Sequence, residues 1–466
     1  MNKDLSRTLV FDCLKKVGKD VKLSGWVRTR RDHGKLIFLD VRDRSGVVQI
    51  VVNQKVSEEA YKTATELRSE FVITVIGVVN KRPDHMVNAK LATGTVEVEA
   101  RSIVLMNKAE TLPFDIEVET LNLELPTLLD YRSLTLRHPK VKAIFAVQAA
   151  ILEGFRKAAE KLGCSEIVVP TIVASSTEGG AELFGVNYYD YKAFLSQSPQ
   201  LYKQMMVPVF ERVWTIAHAY RAEPSVTTRH LAETTQMDLE LGFVTFTDLL
   251  DLLEEVAVSM TKHAQESCKE IFSNLQLEPI AYGSPRSSPR GGAGAGGAGK
   301  IPRLTLREAQ EIIYKEFKRD CRTEKDLAPQ DEVDICAWAK KNHNSDFVTI
   351  THFPTKTKPF YTMPDPKNPE YSLSYDLLFR GIEILSGSQR VNDYQMLTDA
   401  IKSRGMDPKV FGMYLQAFAY GMPPEGGFSF GLERVTMKML KLSNIREATL
   451  FPRDMERVDE RLSKLR

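Results

Sequence analysis

The chain has 466 residues, 43% of them hydrophobic and 27% charged, with a formal net charge of +2. That length exceeds one ordinary core, so two or three domains are expected, and the composition excludes a disordered or disulfide-dense chain. No apolar run reaches the roughly 20 residues that cross a membrane, and the N-terminus is too polar for a secretory signal.

In chain order, the first module is basic. Residues 1–105 hold 19 Lys/Arg and 13 Asp/Glu, a balance of +6 that leaves −4 for the rest. Charge alone fits a polyanion partner or a merely well-solvated domain equally. Runs with strand character fall at 21–28, 36–42, 47–52, 71–79 and 96–105, with a helical segment at 58–67. Five short strands with a helix after the third predict an OB-fold β-barrel, a plan that often binds single-stranded nucleic acid. Arg28, Arg30, Arg31 and Lys35 precede Phe38, and Gln49 follows on the next strand. On its own Phe38 reads as core. Beside these residues it reads as a ring that stacks an unpaired base, with the Gln49 amide on a base edge.

Residues 107–140, rich in Pro, Leu and acids, form a connector. An amphipathic helix at 143–162 follows, closed by Gly163. The most informative stretch is 212–243. Two strand-like runs, 212–221 and 236–243, flank a polar loop carrying Arg229 and His230. The second alternates Met237, Leu239 and Leu241 with Asp238 and Glu240, as a strand with one apolar face requires. Such a hairpin aims guanidiniums and carboxylates at one point, which suits a ligand with phosphates and a free amine. A helix-rich stretch covers 247–272. Residues 284–300, SPRSSPRGGAGAGGAGK, cannot bury a core and read as a surface loop inside the second domain. The expected division is 1–106, a hinge at 107–140, and 141–466. Glu383 lies in the apolar run LLFRGIEILSG, where an unpaired carboxylate is costly, so a cation or hydrogen-bond partner is expected for it. Five scattered cysteines without a CxxC pair argue against a disulfide framework or a structural metal, and for a reducing, cytoplasmic setting.

GCSEIVVP (163–170), YRAEPSVTTRHL (220–231) and GFSFGLER (427–434) resemble the three motifs of class II aminoacyl-tRNA synthetases, in order and spacing. STEGG (176–180), QSPQLYKQ (197–204) and GSQR (387–390), with the barrel module, make the chain resemble the compact, archaeal-type aspartyl-tRNA synthetases of subclass IIb. The resemblance covers nearly the whole chain and implies an α+β fold, an OB barrel plus an antiparallel sheet flanked by helices. It implies ATP-dependent ligation of L-aspartate to tRNA(Asp) through an aspartyl-adenylate, with Mg²⁺. Arg221, Glu383 and Arg434 match the catalytic positions. Glu223, Arg229, His230, Leu231 and Gly431, with those three, match the ATP site, and Glu383 with Ser386 the metal site. Glu178, Gln200, Lys203, Arg221, Asp238, Ser386 and Arg390 match the aspartate site, Lys203 and Arg390 as two cations for the side-chain carboxylate. Arg30, Phe38 and Gln49 match the anticodon contacts.

Two departures stand out: Ser429 where the third motif usually has glycine, expected to crowd the backbone near adenine, and Thr234 where the family often has an aromatic. Arg28 occupies a position that differs between relatives reading only tRNA(Asp) and those that also charge tRNA(Asn). Both readings stay open, and the second implies an amidotransferase partner. A homodimer through the first motif, ending at Pro170, is expected. The alternatives are an asparagine-specific ligase, against which Lys203 and GSQR speak, and a non-catalytic tRNA-binding relative.

Overall fold

The computed structural model of the chain describes residues 5–174, 182–224, 227–283 and 300–464. Glu178 with its STEGG loop, and all of the glycine-rich excursion but Lys300, lie outside the described residues. Two compact units result, Met1–Glu119 and Thr120–Arg466. Of the expected connector, residues up to Glu119 cluster with the first unit and those from Thr120 with the second. Arg132 is the reason for the latter: its guanidinium donates to the carbonyls of Glu447, Thr449 and Leu450.

The first unit is the expected barrel. Strands β1 (Asp20–His33), β2 (Leu36–Asp43), β3 (Gly46–Asn53), β4 (Val72–Lys81) and β5 (Val96–Asn107) close in the order β1-β2-β3-β5-β4. Their alternation is regular because Val, Ile and Leu fill every inward position, among them Leu23, Ile37, Leu39, Val48, Ile50, Ile73, Val75 and Val98. Helix α1 (Glu58–Glu66) starts where the Ser57 side chain accepts from Ala60 N, and it turns Ala60 and Ala64 into that core.

In the second unit, helix α2 (Pro139–Lys161) leads to strand β6 (Ser165–Glu166), helix α3 (Gln200–Phe210) and the hairpin β7 (Arg212–Tyr220) and β8 (Glu233–Gly242). Helix α4 (Phe246–Ser267) is closed at its start by a reciprocal Thr245–Asp248 capping box. Strands β9 (Arg303–Thr305), β10 (Phe347–Thr351), β11 (Ser374–Phe379) and β12 (Ile382–Gln389) follow, then helix α5 (Gly412–Ala419), strand β13 (Glu425–Gly431) and helix α6 (Leu432–Met439). Eight strands form one sheet, ordered β9-β10-β11-β12-β13-β8-β7-β6, antiparallel except for the parallel pairs β9–β10 and β7–β6 at its edges. Helices α2 and α4 pack together and cover one sheet face with Phe155, Met260, Trp214, Leu239 and Phe430. They approach closely because Gly154 lacks a side chain; a Cβ there would lie 2.9 Å from the Met260 carbonyl oxygen. Gly163 ends α2 at φ +73°, a left-handed position that glycine takes without strain. One face of the sheet is thereby committed to core. The other carries polar side chains.

Candidate active site

That second face is built in rows, because residues opposed across antiparallel strands point the same way. One row runs Asp376 (β11), Ser386 (β12), Ser429 (β13), Asp238 (β8); the next runs Ser374, Ser388, Gly427, Glu240. Glu383 and Ser386, three residues apart, would face opposite ways on a regular strand. Here Leu377 pairs with Leu385 and Leu378 with Glu383, so Ile384 is an extra, bulged residue and both side chains turn to the same side. Above the rows lies a cavity of about 590 Å³. Arg221, Glu223, Arg229, His230, Leu231, Glu383, Ser386, Gly431 and Arg434 line it, as do Gln200, Lys203, Asp238 and Arg390. Every expected site residue of this unit except the undescribed Glu178 therefore meets one space.

Within it, two clusters form. In the first, Lys203 and Arg390 are almost fully buried, at 1% and 5% exposure. Lys203 Nζ reaches Asp238 Oδ1 at 2.8 Å, Glu240 Oε2 at 3.1 Å and the Leu239 carbonyl at 3.4 Å. Arg390 Nε donates to Glu240 Oε1 at 2.7 Å, Nη1 to Ser388 Oγ, and Nη2 to Gln200 Oε1 and the Gly427 carbonyl. Both cations expected at the side-chain end thus already have acidic partners inside the protein. The three Lys203 donors are all engaged, and one Nη1 hydrogen of Arg390 is left over among the described residues. The polar face of β8 is buried for the same reason: Asp238 and Glu240 are the counter-charges. Burial pushes the Asp238 carboxyl up, opposed by Lys203 and the Ser429 hydroxyl. For Glu240 burial acts the same way, but Arg390 and Lys203 together hold it below the usual carboxylate range. Ser429 is turned to Asp238 Oδ2, to which it donates at 3.0 Å, and so serves this cluster.

The second cluster holds the phosphate-type cations. Arg221 is exposed and forms no ion pair among the described residues, while Arg434 Nη1 lies 3.4 Å from Glu383 Oε2. Arg229 pairs with Glu332. Burial lowers the His230 pKa, and the neighbouring Arg434 lowers it further, so the imidazole is neutral at pH 7. Glu383 is not buried as its apolar surroundings suggested; its side chain is 34% exposed, because the bulge turns it to the cavity.

Sequence reading missed three residues here. Asp376, opposite Ser386, is buried, with Lys358 Nζ 3.2 Å from its Oδ2 and no hydrogen-bond partner for Oδ1. An unsatisfied buried carboxylate oxygen beside Glu383 fits a hard cation. Its signal was its place seven residues before Glu383, across the Gly381 turn. Gln236 shares the polar face of β8, and its buried Oε1 has no partner; the alternation that marked Asp238 and Glu240 marks it too. Glu240 was visible on that face without a role.

On the barrel, Phe38 faces outward, opposite Arg31, and packs edge-on to His33 with ring centroids 5.5 Å apart. Gln49 donates to Glu97 and accepts from Arg31, both at 3.2 Å. Arg30 does not share this face. A β-bulge between Val27 and Thr29 shifts the register, so Arg30 opposes the buried Leu39 and its Nε donates to the Ala64 carbonyl. Arg28 pairs with Glu117.

Two families match: tRNA synthetases class II (D, K and N) over residues 124–455, and an OB-fold nucleic acid binding domain over 21–106. The chain belongs to the class II tRNA synthetases. It is 39% identical to an aspartate–tRNA(Asp/Asn) ligase of Archaeoglobus fulgidus, covering 95% of this chain and 96% of that one. It is 38% identical to an aspartate–tRNA(Asp) ligase of Pyrococcus horikoshii, with the same shares covered. Asparaginyl-tRNA synthetase from Pyrococcus horikoshii, complexed with asparaginyl-adenylate, superposes with a TM-score of 0.84 at 31% identity, covering 97% of this chain and 99% of that one. Aspartyl-tRNA synthetase from Entamoeba histolytica gives 0.83 at 28%, covering 98% and 93%. Class II synthetases use ATP and a divalent metal, and in this one the barrel is the nucleic-acid-binding domain. No helix among the described residues is long and apolar enough to cross a membrane.

Proposed function

We propose that this synthetase ligates L-aspartate to tRNA(Asp) with ATP, through an aspartyl-adenylate. The observation that carries the reading is one cavity holding both a phosphate-type cluster, Arg221 with Arg434, and a buried Lys203–Arg390 cluster. Activation brings two anions together, the amino-acid carboxylate and the α-phosphate, so their repulsion must be offset as they approach. Arg221 has its guanidinium unpaired among the described residues, which suits both anions as charge builds in the transition state. Arg434, with Arg229 and neutral His230, takes the outer phosphates; Glu223, Leu231 and the backbone at Gly431 border the nucleotide. Gln200, Asp238 and Glu178 receive the α-ammonium.

The side-chain carboxylate is read by the spare Arg390 N–H, with Lys203 holding Asp238 and Glu240 in place. Glu383 and Ser386, joined by Asp376, would hold Mg²⁺; when bound it neutralises charge on the ATP phosphates. Phe38 and Gln49, with Arg30 or its neighbour Arg31, meet anticodon bases. A homodimer through the first motif belongs to this reading, supported by Val168 at its end, 96% exposed.

An asparagine-specific ligase is the second reading, favoured by the acids that already neutralise Lys203 and Arg390. ATP–pyrophosphate exchange with each amino acid separates the two; aspartate should exchange faster, and faster exchange with asparagine would sink the proposal. Charging of tRNA(Asp) and tRNA(Asn) side by side decides whether the second tRNA is a substrate, which would require an amidotransferase partner.

A further inference from the structure

Behind the Lys203–Arg390 cluster lies a carboxyl that the reaction does not touch. Glu425, the first residue of β13, is completely buried. Its Oε1 accepts from Gln204 Nε2 at 2.7 Å, and the Gln204 carbonyl accepts from the Tyr414 hydroxyl of α5 at 3.1 Å. Its Oε2 meets no donor. What faces it is the carboxylate of Glu240, which accepts from Lys203 on Oε2 and from Arg390 on both oxygens. Glu425 opposes Gly242 and Glu240 opposes Gly427, so the two acids share one face of the β8–β13 pair, and two buried acceptors set against each other are stable only when one is protonated. Glu240, with two cations, keeps its charge, so the proton belongs to Glu425.

We propose that Glu425 is a positioning residue for side-chain recognition: as the neutral acid it donates to Glu240, fixing the Glu240–Arg390 pair without adding a second negative charge behind it. The charge count gives the consequence. Lys203 and Arg390 against Asp238 and Glu240 sum to zero, a balance that tolerates an incoming carboxylate at the Arg390 N–H. An ionised Glu425 would make the cluster net negative and repel it. Burial and the Glu240 charge both hold the Glu425 proton on, with Gln204 and Arg390 opposing. The groups facing Glu425 are Glu240 from β8, Gln204 from α3, Arg390 just beyond β12, and Tyr414 from α5. The Tyr414 hydroxyl is itself pushed well up by burial and stays neutral.

This inference rests on aspartate being the substrate. The experiment is steady-state ATP–pyrophosphate exchange on the full chain, with KM for aspartate and for ATP measured from pH 6.5 to 9.5. The variants are Glu425→Gln, which keeps a donor toward Glu240 and an acceptor for Gln204, and Glu425→Leu, which removes both. At pH 7 Glu425→Gln should stay within about three-fold of wild type in KM for aspartate, while Glu425→Leu should raise it about ten-fold or more. KM for ATP should move less than about three-fold in either. Above neutrality the wild-type KM for aspartate should climb relative to that of Glu425→Gln, which has no proton to lose. Equal damage from Gln and Leu, equal effects on aspartate and ATP, or parallel pH profiles for wild type and Glu425→Gln would each overturn it. Should Glu425→Leu fail to fold, the pH comparison decides alone. Wild-type protein without aspartate-dependent exchange would overturn the functional reading and this one with it; exchange whose aspartate KM ignores Glu425 would overturn this one only.

Discussion

Arg390 has two jobs that different measurements separate. It neutralises Glu240 inside the protein, and the function proposed above gives its remaining N–H to the substrate carboxylate. Breaking a buried pair from one side costs about 3–5 kcal/mol, since the other charge stays behind unpaired. Arg390→Ala should therefore lower unfolding stability by that order, read as a denaturant midpoint. It should also raise KM for aspartate at least about ten-fold while KM for ATP stays within about three-fold. Adding Glu240→Gln should recover most of the stability and none of the aspartate affinity. A greater loss for ATP than for aspartate would contradict the assignment. At this scale the residues were readable but their partners were not. Alternation on β8 gave Gln236, Asp238 and Glu240 one face. That Glu240 meets Arg390, 150 residues on, follows only from the strand order. Asp376 was missed because its only sequence signal, its spacing from Glu383 across the Gly381 turn, gains meaning once its register partner Ser386 is known.

Elements were legible where side-chain alternation stayed regular. The barrel strands and the β7–β8 hairpin begin and end within about three residues of the expected positions, except that β1 runs on to His33 instead of ending at 28, because inward Val, Ile and Leu leave little freedom of register. Bulges broke the pattern, and besides those between β4 and β5 one lies in the cavity wall and one beside the Phe38 face. One at Ile384 turns Glu383 and Ser386 the same way; one after Val27 exchanges the faces of Arg30 and Arg31. A bulge has no clear composition, so which arginine shares the Phe38 face was not legible; the resemblance named Arg30, and the strand register sets Arg31 opposite Phe38. This face assignment is testable. Arg31→Ala and Gln49→Ala should each weaken tRNA charging about ten-fold through KM for tRNA, with tRNA-independent exchange nearly unchanged. Arg30→Ala should act first on barrel stability, through its bond to the Ala64 carbonyl of α1. If Arg30→Ala damaged KM for tRNA and Arg31→Ala did not, the face assignment would be wrong.

For the whole molecule, pH separates the two units. Each has its own core, so unfolding should report two transitions. Glu433, in the first turn of α6, belongs to the second. Its carboxylate accepts from Thr235 N at 3.0 and 3.1 Å, tying α6 to β8 under the cavity. Burial raises its carboxyl from 4.5 to about 7, against its own backbone N–H and that of Thr235. An acid with a raised folded-state pKa binds its proton more tightly in the folded chain. Its contribution is therefore complete below pH 4.5 and is lost as pH rises through about 7. At roughly 1.4 kcal/mol for each pH unit of that window, the second unit should lose on the order of 3 kcal/mol across it. Glu433→Gln has no proton to release, so the difference between wild type and variant in the second unit's transition should grow from pH 4.5 to 7 and level off above. The first transition, in a unit that does not contain Glu433, should give the same curve in both proteins. A constant wild-type minus variant difference would show that Glu433 releases its proton equally in the folded and unfolded chain, and that its buried contact to Thr235 is made without penalty.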